Sequence, residues 1–383
     1  MAALPAIVDA VDWIDDKELA EHRIDHIEVR KVVLKYPRLV GKNARSDVHG
    51  YGPEIEVVEL TTSRGASGWA ILRDHENFKA GSEFIKGKRV KEVFSSAVGI
   101  TNPLASSFDF ALHDLAGVIT NKPVYELIGK NKEPIVTHCY SGMIYFDDLE
   151  PAENPTGISS VLKNCQWDYE YGYRQFKLKL GRGFKWMPPA EGLKRDIEVT
   201  KMIAELYPDC DILIDPNDKY GVDNTIKYLE AISDIKLFWI EEPFVENVAD
   251  YTKLVEWLRT NGRENTLIAD GEWAPNLPLA MELGAKKLLN VYLADISDIG
   301  FTEWRKLNIS LKSKGIQSSP HCWGHQLKSY YTAHLAAAQG NMPTIEGVTC
   351  FSDDIDFGNY QFKGKNLVPS SAPGFGMKLK KKD

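Results

Sequence analysis

Tyr173-Arg174-Gln175-Phe176-Lys177-Leu178-Lys179-Leu180-Gly181 alternates polar and apolar residues with period two and ends in glycine, the pattern of a short strand. In a strand successive side chains point to opposite faces, so Lys177 and Lys179 share one face while Phe176, Leu178 and Leu180 take the other. Two ammonium groups side by side repel, and neither is buried unless something anionic sits opposite. Alone, a Lys-x-Lys pair is most simply a solvated strand face, because lysine is usually exposed. The strands that follow change that reading, because they end in acid.

From Pro134 onward short apolar runs recur at 135–140, 173–180, 211–215, 237–240, 267–269, 289–294, 315–319 and 344–348. Roughly 25 to 38 residues separate most successive runs, enough for a helix, and helical patterns cover 191–206 and 250–258. Alternating strands and helices imply right-handed parallel crossovers, and eight units in roughly 215 residues fit a (β/α)8 barrel of the TIM type. An open doubly wound sheet fits less well, since no Gly-x-Gly-x-x-Gly follows the first strand.

Upstream the texture differs. Residues 22–33, 55–62 and 65–72 read as strands, and 103–119 as a helix with Ser106 and Ser107 as candidate caps. Strands followed by helices make an α+β unit. The expected organisation is therefore an α/β chain with an N-terminal α+β capping domain over 1–132, the barrel over 133–350 and a tail over 351–383. Residues 1–21, acidic and alanine-rich, read as an extension or edge helix. Between the first two strands lies a polar, glycine-containing loop, 42–52, expected to be a mobile lid.

Composition bounds the function. The chain has 383 residues, 43% apolar and 26% charged, with a net charge of −8, a soluble globular composition that argues against a sequence-independent nucleic-acid binder. Its five cysteines include no Cys-x-x-Cys pair, so neither a disulfide framework nor a zinc-thiolate site is indicated. No apolar run approaches a membrane span and no signal-like N-terminus is present, so a cytoplasmic location is expected.

The strand ends carry the chemistry. Asp215-Pro216-Asn217, Glu241-Glu242-Pro243 and Asp270-Gly271-Glu272 put acid at the ends of three consecutive strands, and barrel enzymes keep their reacting groups there. One such Asp is usually a helix N-cap. Three in series would repel unless a cation lies among them, and hard oxygen ligands favour Mg2+. The next strands end in Asp295, with Asp298 a close competitor, then in His321, then in Glu346. A carboxylate beside an imidazole orients the ring and raises its basicity.

The ordered set Lys-x-Lys, Asp-x-Asn, Glu-Glu-Pro, Gly-Glu, then Asp and His resembles the enolase superfamily, mandelate racemase subgroup. That resemblance implies Asp215, Glu241 and Glu272 as magnesium ligands, with Lys179 and His321 as acid/bases on opposite faces of the substrate. Asp295 would orient His321, Lys177 would stabilise an enediolate, and Asn217 and Glu346 would hydrogen-bond the substrate. The tail would return to the capping domain. Gly300-Phe301 stands where the family has Gly-Gly, and Cys322-Trp323-Gly324-His325 after His321 narrows the pocket. Lys177 and the metal are expected to depress the pKa of Lys179 toward the working range. The polar lid, with Arg45 and His49 as substrate contacts, suits a hydroxylated substrate. The implied reaction is dehydration of an aldonate, uronate-derived or aldarate acid sugar to a 2-keto-3-deoxy acid by a homo-oligomer acting on small molecules alone. A racemase or epimerase would use the same groups. A non-catalytic sugar-acid binder would not need paired bases, and a muconate-type cycloisomerase would want a lysine where Asp295 to Asp298 stand.

Overall fold

The computed structural model describes residues 15–129 and 133–381, so the expected extension before residue 15 and the boundary expected at 132 lie outside the described residues. Ile24–Val33, Glu54–Thr62 and Ser67–Ile71 form an antiparallel sheet in that order, with Val29 opposite Val58 and Val58 opposite Ala70. The helix Asp109–Ile119 packs on it so closely that a Cβ on Gly68 would lie 2.3 Å from the Leu115 main-chain nitrogen, an approach only glycine allows. The stretch before that helix is a separate 3-10 turn, Pro103–Phe108, capped by the Asn102 side chain. Ser106 and Ser107 are not the caps: both hydroxyls donate to Asp74.

The remainder is a TIM barrel. Its eight strands are Thr137–Ile144, Gln175–Lys179, Asp211–Asp215, Leu237–Glu241, Leu267–Asp270, Val291–Tyr292, Gln317–Ser318 and Thr344–Gly347. Consecutive strands pair in parallel from the first to the seventh, and the eighth pairs with the first. The seventh and eighth meet through Ser318 N to Asn341 O at 3.0 Å and Ser319 Oγ to Thr344 O at 2.8 Å. Tyr140, Leu213, Trp239, Ala269, Val291 and Leu293 fill the interior, while Phe176 and Leu178 join the larger core that includes Val199 and Ile203 of the helix Pro189–Leu206. Among the described residues no helix is long and apolar enough to cross a membrane.

The tail touches both parts of the molecule. Phe351 exchanges main-chain hydrogen bonds with Lys35, Gly374 O accepts Val124 N, and Met377 O accepts Trp69 Nε1. The hairpin Gln361–Lys363/Asn366–Val368 instead adds to the first barrel strand, Asn366 opposite His138. The tail therefore extends the barrel sheet as well as reaching the cap.

Candidate active site

The second barrel strand is buried along its whole length, and its lysines are tolerated because anions surround them. Lys177 Nζ lies 2.5 Å from Glu241 Oε1, 3.1 Å from Glu346 Oε1 and 3.4 Å from Asp215 Oδ2, with the Tyr140 ring 5.3 Å away. Lys179 Nζ donates to Asp215 Oδ2 and sits 5.6 Å from the Tyr145 ring. Burial works against both charges. Glu241 and Glu346 outweigh it and hold Lys177 well above the ordinary lysine range, and Asp215 raises Lys179 against the repulsion of Lys177. Protein groups alone therefore raise Lys179; the expected depression depends on a cation beside Asp215 to offset that carboxylate's charge.

Asp215, Glu241 and Glu272 each bring a carboxylate oxygen to within 4.8 Å of the others. Asn217 N donates to Asp215 Oδ1 at 2.9 Å. The turns that hold this ring are left-handed at residues other than glycine, with φ 48° at Asn217, 63° at Asp218 and 37° at Glu242, conformations that persist only where surrounding structure enforces them. Glu241 Oε2, Glu272 Oε2 and Asn217 Oδ1 are buried with no hydrogen-bond partner among the described residues. Even with His321 protonated beside Glu272, Lys177 and Lys179 leave the carboxylates of Asp215, Glu241, Glu272 and Glu346 with excess negative charge. Orphaned hard oxygens and excess negative charge are what a divalent cation such as Mg2+ matches.

On the far side, His321 Nδ1 lies 2.8 Å from Asp295 Oδ2, and its Nε2 lies 3.3 Å from Glu272 Oε1 and 3.8 Å from Glu346 Oε2. Burial opposes protonation of the imidazole, but Glu272, Glu346 and Asp295 together push it up to about 9. Asp295 is the partner because His321 pairs with it in parallel register along the main chain. Asp298 is exposed, and its carbonyl accepts Arg73 Nη2 at 2.8 Å. Glu346 is buried, its Oε2 accepting Cys322 N at 2.7 Å.

The loop 42–52 folds down as an ordered turn, Val40 pairing with Gly50. His49 Nδ1 is 2.7 Å from Gly41 O, which leaves Nε2 as an acceptor in the neutral ring, and the ring packs on Tyr145 and Trp323. Arg45 is engaged with protein groups: Asp218, Asn217 O at 3.2 Å and the Trp273 ring at 4.3 Å. Lys42 is buried 2.7 Å from Glu150. Sequence reasoning singled out Trp323 as narrowing the pocket but missed Tyr145, which packs against it, and Lys328, which also reaches Asp295. It missed as well a second acid group, Asp218, Glu242 and Asp270, although Glu242 and Asp270 stand in the Glu-Glu-Pro and Asp-Gly-Glu strand ends.

The family described as "Enolase C-terminal domain-like" matches residues 161–383, more than half of the chain. Galacturonate dehydratase from Geobacillus sp., solved with D-galacturonate and 5-keto-4-deoxy-D-galacturonate, is 32% identical, with 94% of this chain and 95% of that chain covered and a TM-score of 0.86. A variant of that dehydratase, solved with magnesium, gives 31% identity, coverage of 94% and 93% and a TM-score of 0.87. L-rhamnonate dehydratase of Saccharopolyspora erythraea is 25% identical over 98% of this chain and 95% of its own. Hydrophobic dipeptide epimerase of Enterococcus faecalis is 23% identical over 83% and 87%. With a matching family over the barrel and near full-length similarity to solved members, the chain belongs to the enolase superfamily, in its mandelate racemase subgroup.

Proposed function

We propose that the protein is a magnesium-dependent acid-sugar dehydratase that removes the proton α to a carboxylate and expels the β-hydroxyl. The observation that carries this reading is the placement of two different proton carriers on one acid ring: Lys179 against Asp215, His321 against Glu272. Asp215, Glu241 and Glu272 would hold Mg2+, which when bound would supply positive field for charge developing on the substrate carboxylate and would offset the Asp215 charge that keeps Lys179 protonated. Lys177 adds a fixed cation to the same field. The Lys179 amine takes the α-proton, and the C–H pair becomes the enediolate. As that pair returns to form the new C=C bond, the β C–O bond breaks, and His321 Nε2 as imidazolium protonates the departing hydroxyl to water. The enol then tautomerises to the keto acid. Asp295 at Nδ1 keeps Nε2 turned toward the substrate, while Asn217 and Glu346 line it.

Similarity over nearly the whole length to galacturonate dehydratase makes a hexuronate the first candidate, losing its C5 proton and C4 hydroxyl. A second reading, an epimerase, draws on the similar dipeptide epimerase and uses the same pair for deprotonation and reprotonation. The test is incubation with hexuronates, aldonates and aldarates in D2O with Mg2+, following solvent deuterium at Cα and keto acid together. Keto-deoxy product that disappears on chelation and returns with Mg2+ is expected. Full activity after verified metal removal would overturn the metal role. Deuterium exchange with an epimer but no keto acid would make it an epimerase, and tight binding with neither would make it a binder.

A further inference from the structure

Asp295 serves two cations at one oxygen. Its Oδ2 is 2.8 Å from His321 Nδ1 and 2.8 Å from Lys328 Nζ, while Oδ1 accepts Ser297 N at 2.8 Å and Ser297 Oγ at 2.6 Å. Lys328 lies in the first turn of the helix Gln326–Gln339, which begins just after the loop carrying His321. Its ammonium also donates to the Trp323 carbonyl at 3.1 Å, and the lysine side chain is only 14% exposed. The Trp323 ring in turn packs on Tyr36, Tyr145 and His49, with centroids 5.7, 4.8 and 5.3 Å away. One ammonium therefore holds the acid of the dyad and the wall that carries the loop's His49.

The arrangement has a mechanical reason. Glu272 and Glu346 attract His321 from the Nε2 side, so the imidazole is pulled toward the ring as well as toward Asp295. A carboxylate held at one oxygen by Ser297 and at the other by an ammonium cannot swing with it. We infer that Lys328 is a positioning residue: it anchors Asp295 so that His321 Nε2 stays aimed at the acid ring, and it ties that aim to the Tyr145–Trp323 wall. The inference rests on the reading of His321 as a proton carrier.

Lys328→Met removes the ammonium and keeps the length; Lys328→Arg keeps the charge and can supply both donors. On the acid sugar that the wild type dehydrates, Lys328→Met should lower kcat about 10- to 100-fold with KM within about threefold, as for other outer partners of a reacting group. Lys328→Arg should recover most of that loss, and the thermal midpoints of both should stay near wild type. Independently of turnover, the His321 Nδ1–H resonance in 15N-histidine-labelled protein should shift or broaden in Lys328→Met. Wild-type kcat with an unchanged resonance would overturn the inference. So would a raised KM at unchanged kcat, which marks a substrate contact. A lowered midpoint with no recovery by Arg would do the same, marking a role in folding alone. If the wild type dehydrates no acid sugar but the resonance still changes in Lys328→Met, the proposed reaction fails and the positioning role stands.

Discussion

His321 and Lys179 differ in what holds them, so their removal should differ in consequence. His321 faces Asp295 on one edge and two ring carboxylates on the other, the surroundings of a group that carries a proton to a leaving oxygen. His321→Asn keeps a similar shape but cannot carry the proton, and should reduce dehydration by at least about 10². Asp295→Asn should lower kcat about 10- to 100-fold by loosening the ring, whereas Asp298→Asn should stay near wild type because that side chain is exposed. Steady-state rates on the identified substrate decide it: an active His321→Asn enzyme, or a larger loss at Asp298 than at Asp295, removes the dyad as assigned. Much of this ring was legible from the chain, because proline or glycine stops the strands just where acid appears. The choice between Asp295 and Asp298 was not, since both lie within one turn beyond a strand. What separates them is a main-chain pairing with His321 contributed by a distant strand end. Lys328 left no signal either, for its partner is reached from a helix start across a loop.

The loop 42–52 is the element whose behaviour the chain foretold least. Its length and glycines were visible, its anchors were not. Lys42 pairs with Glu150, Asn43 O accepts Trp186 Nε1 at 2.8 Å, and Arg45 lies between Asp218 and Trp273. All four partners are on the barrel and far away in sequence. A polar loop with barrel partners is held down by them, and His49 is carried with it against Tyr145. Arg45→Ala removes one ion pair, one long hydrogen bond to Asn217 O and one cation–π contact, together about 1 kcal/mol at a partly exposed site. A closed loop that retains substrate should then hold it more weakly: KM should rise about fivefold, with kcat within about threefold. Amide hydrogen exchange over residues 43–49 should quicken. Unchanged KM across several acid sugars, with unchanged exchange, would show that Arg45 does not hold the loop for substrate. The short strands tell the same story at this scale: the apolar runs 289–294 and 315–319 are longer than the two-residue ladders they make, Val291–Tyr292 and Gln317–Ser318. Their remaining residues pack or turn instead, which apolar character alone does not distinguish.

Cap, barrel and tail are locked together by buried polar groups, and the clearest junction is His334. It sits in the barrel helix Gln326–Gln339, accepts Tyr125 N from the cap helix Val124–Ile128 at 3.2 Å, and meets Tyr360 Oη of the tail at 2.8 Å. The Phe375 ring closes over it, 5.3 Å away. Burial outweighs the main-chain hydrogen bond at Phe375 and pushes the imidazole from its ordinary 6.5 down to about 3. The unfolded chain takes up a proton near pH 6.5 while the folded one refuses it until about pH 3. Stability from this group is therefore complete above about 6.5 and falls as the pH drops from there toward 3, by a few kcal/mol at most. Carboxylates also titrate in that window, so the group must be isolated by difference. His334→Gln keeps an acceptor and a donor but no titrating nitrogen, and is expected to cost stability at pH 7.5 through imperfect packing. Between pH 7.5 and 4.5, however, its urea midpoint should fall less than that of the wild type, because one proton-linked loss has been removed while every carboxylate remains. Parallel midpoint curves for the two proteins would mean that His334 takes up its proton in the folded state, and that this junction does not resist acid in the way its burial requires.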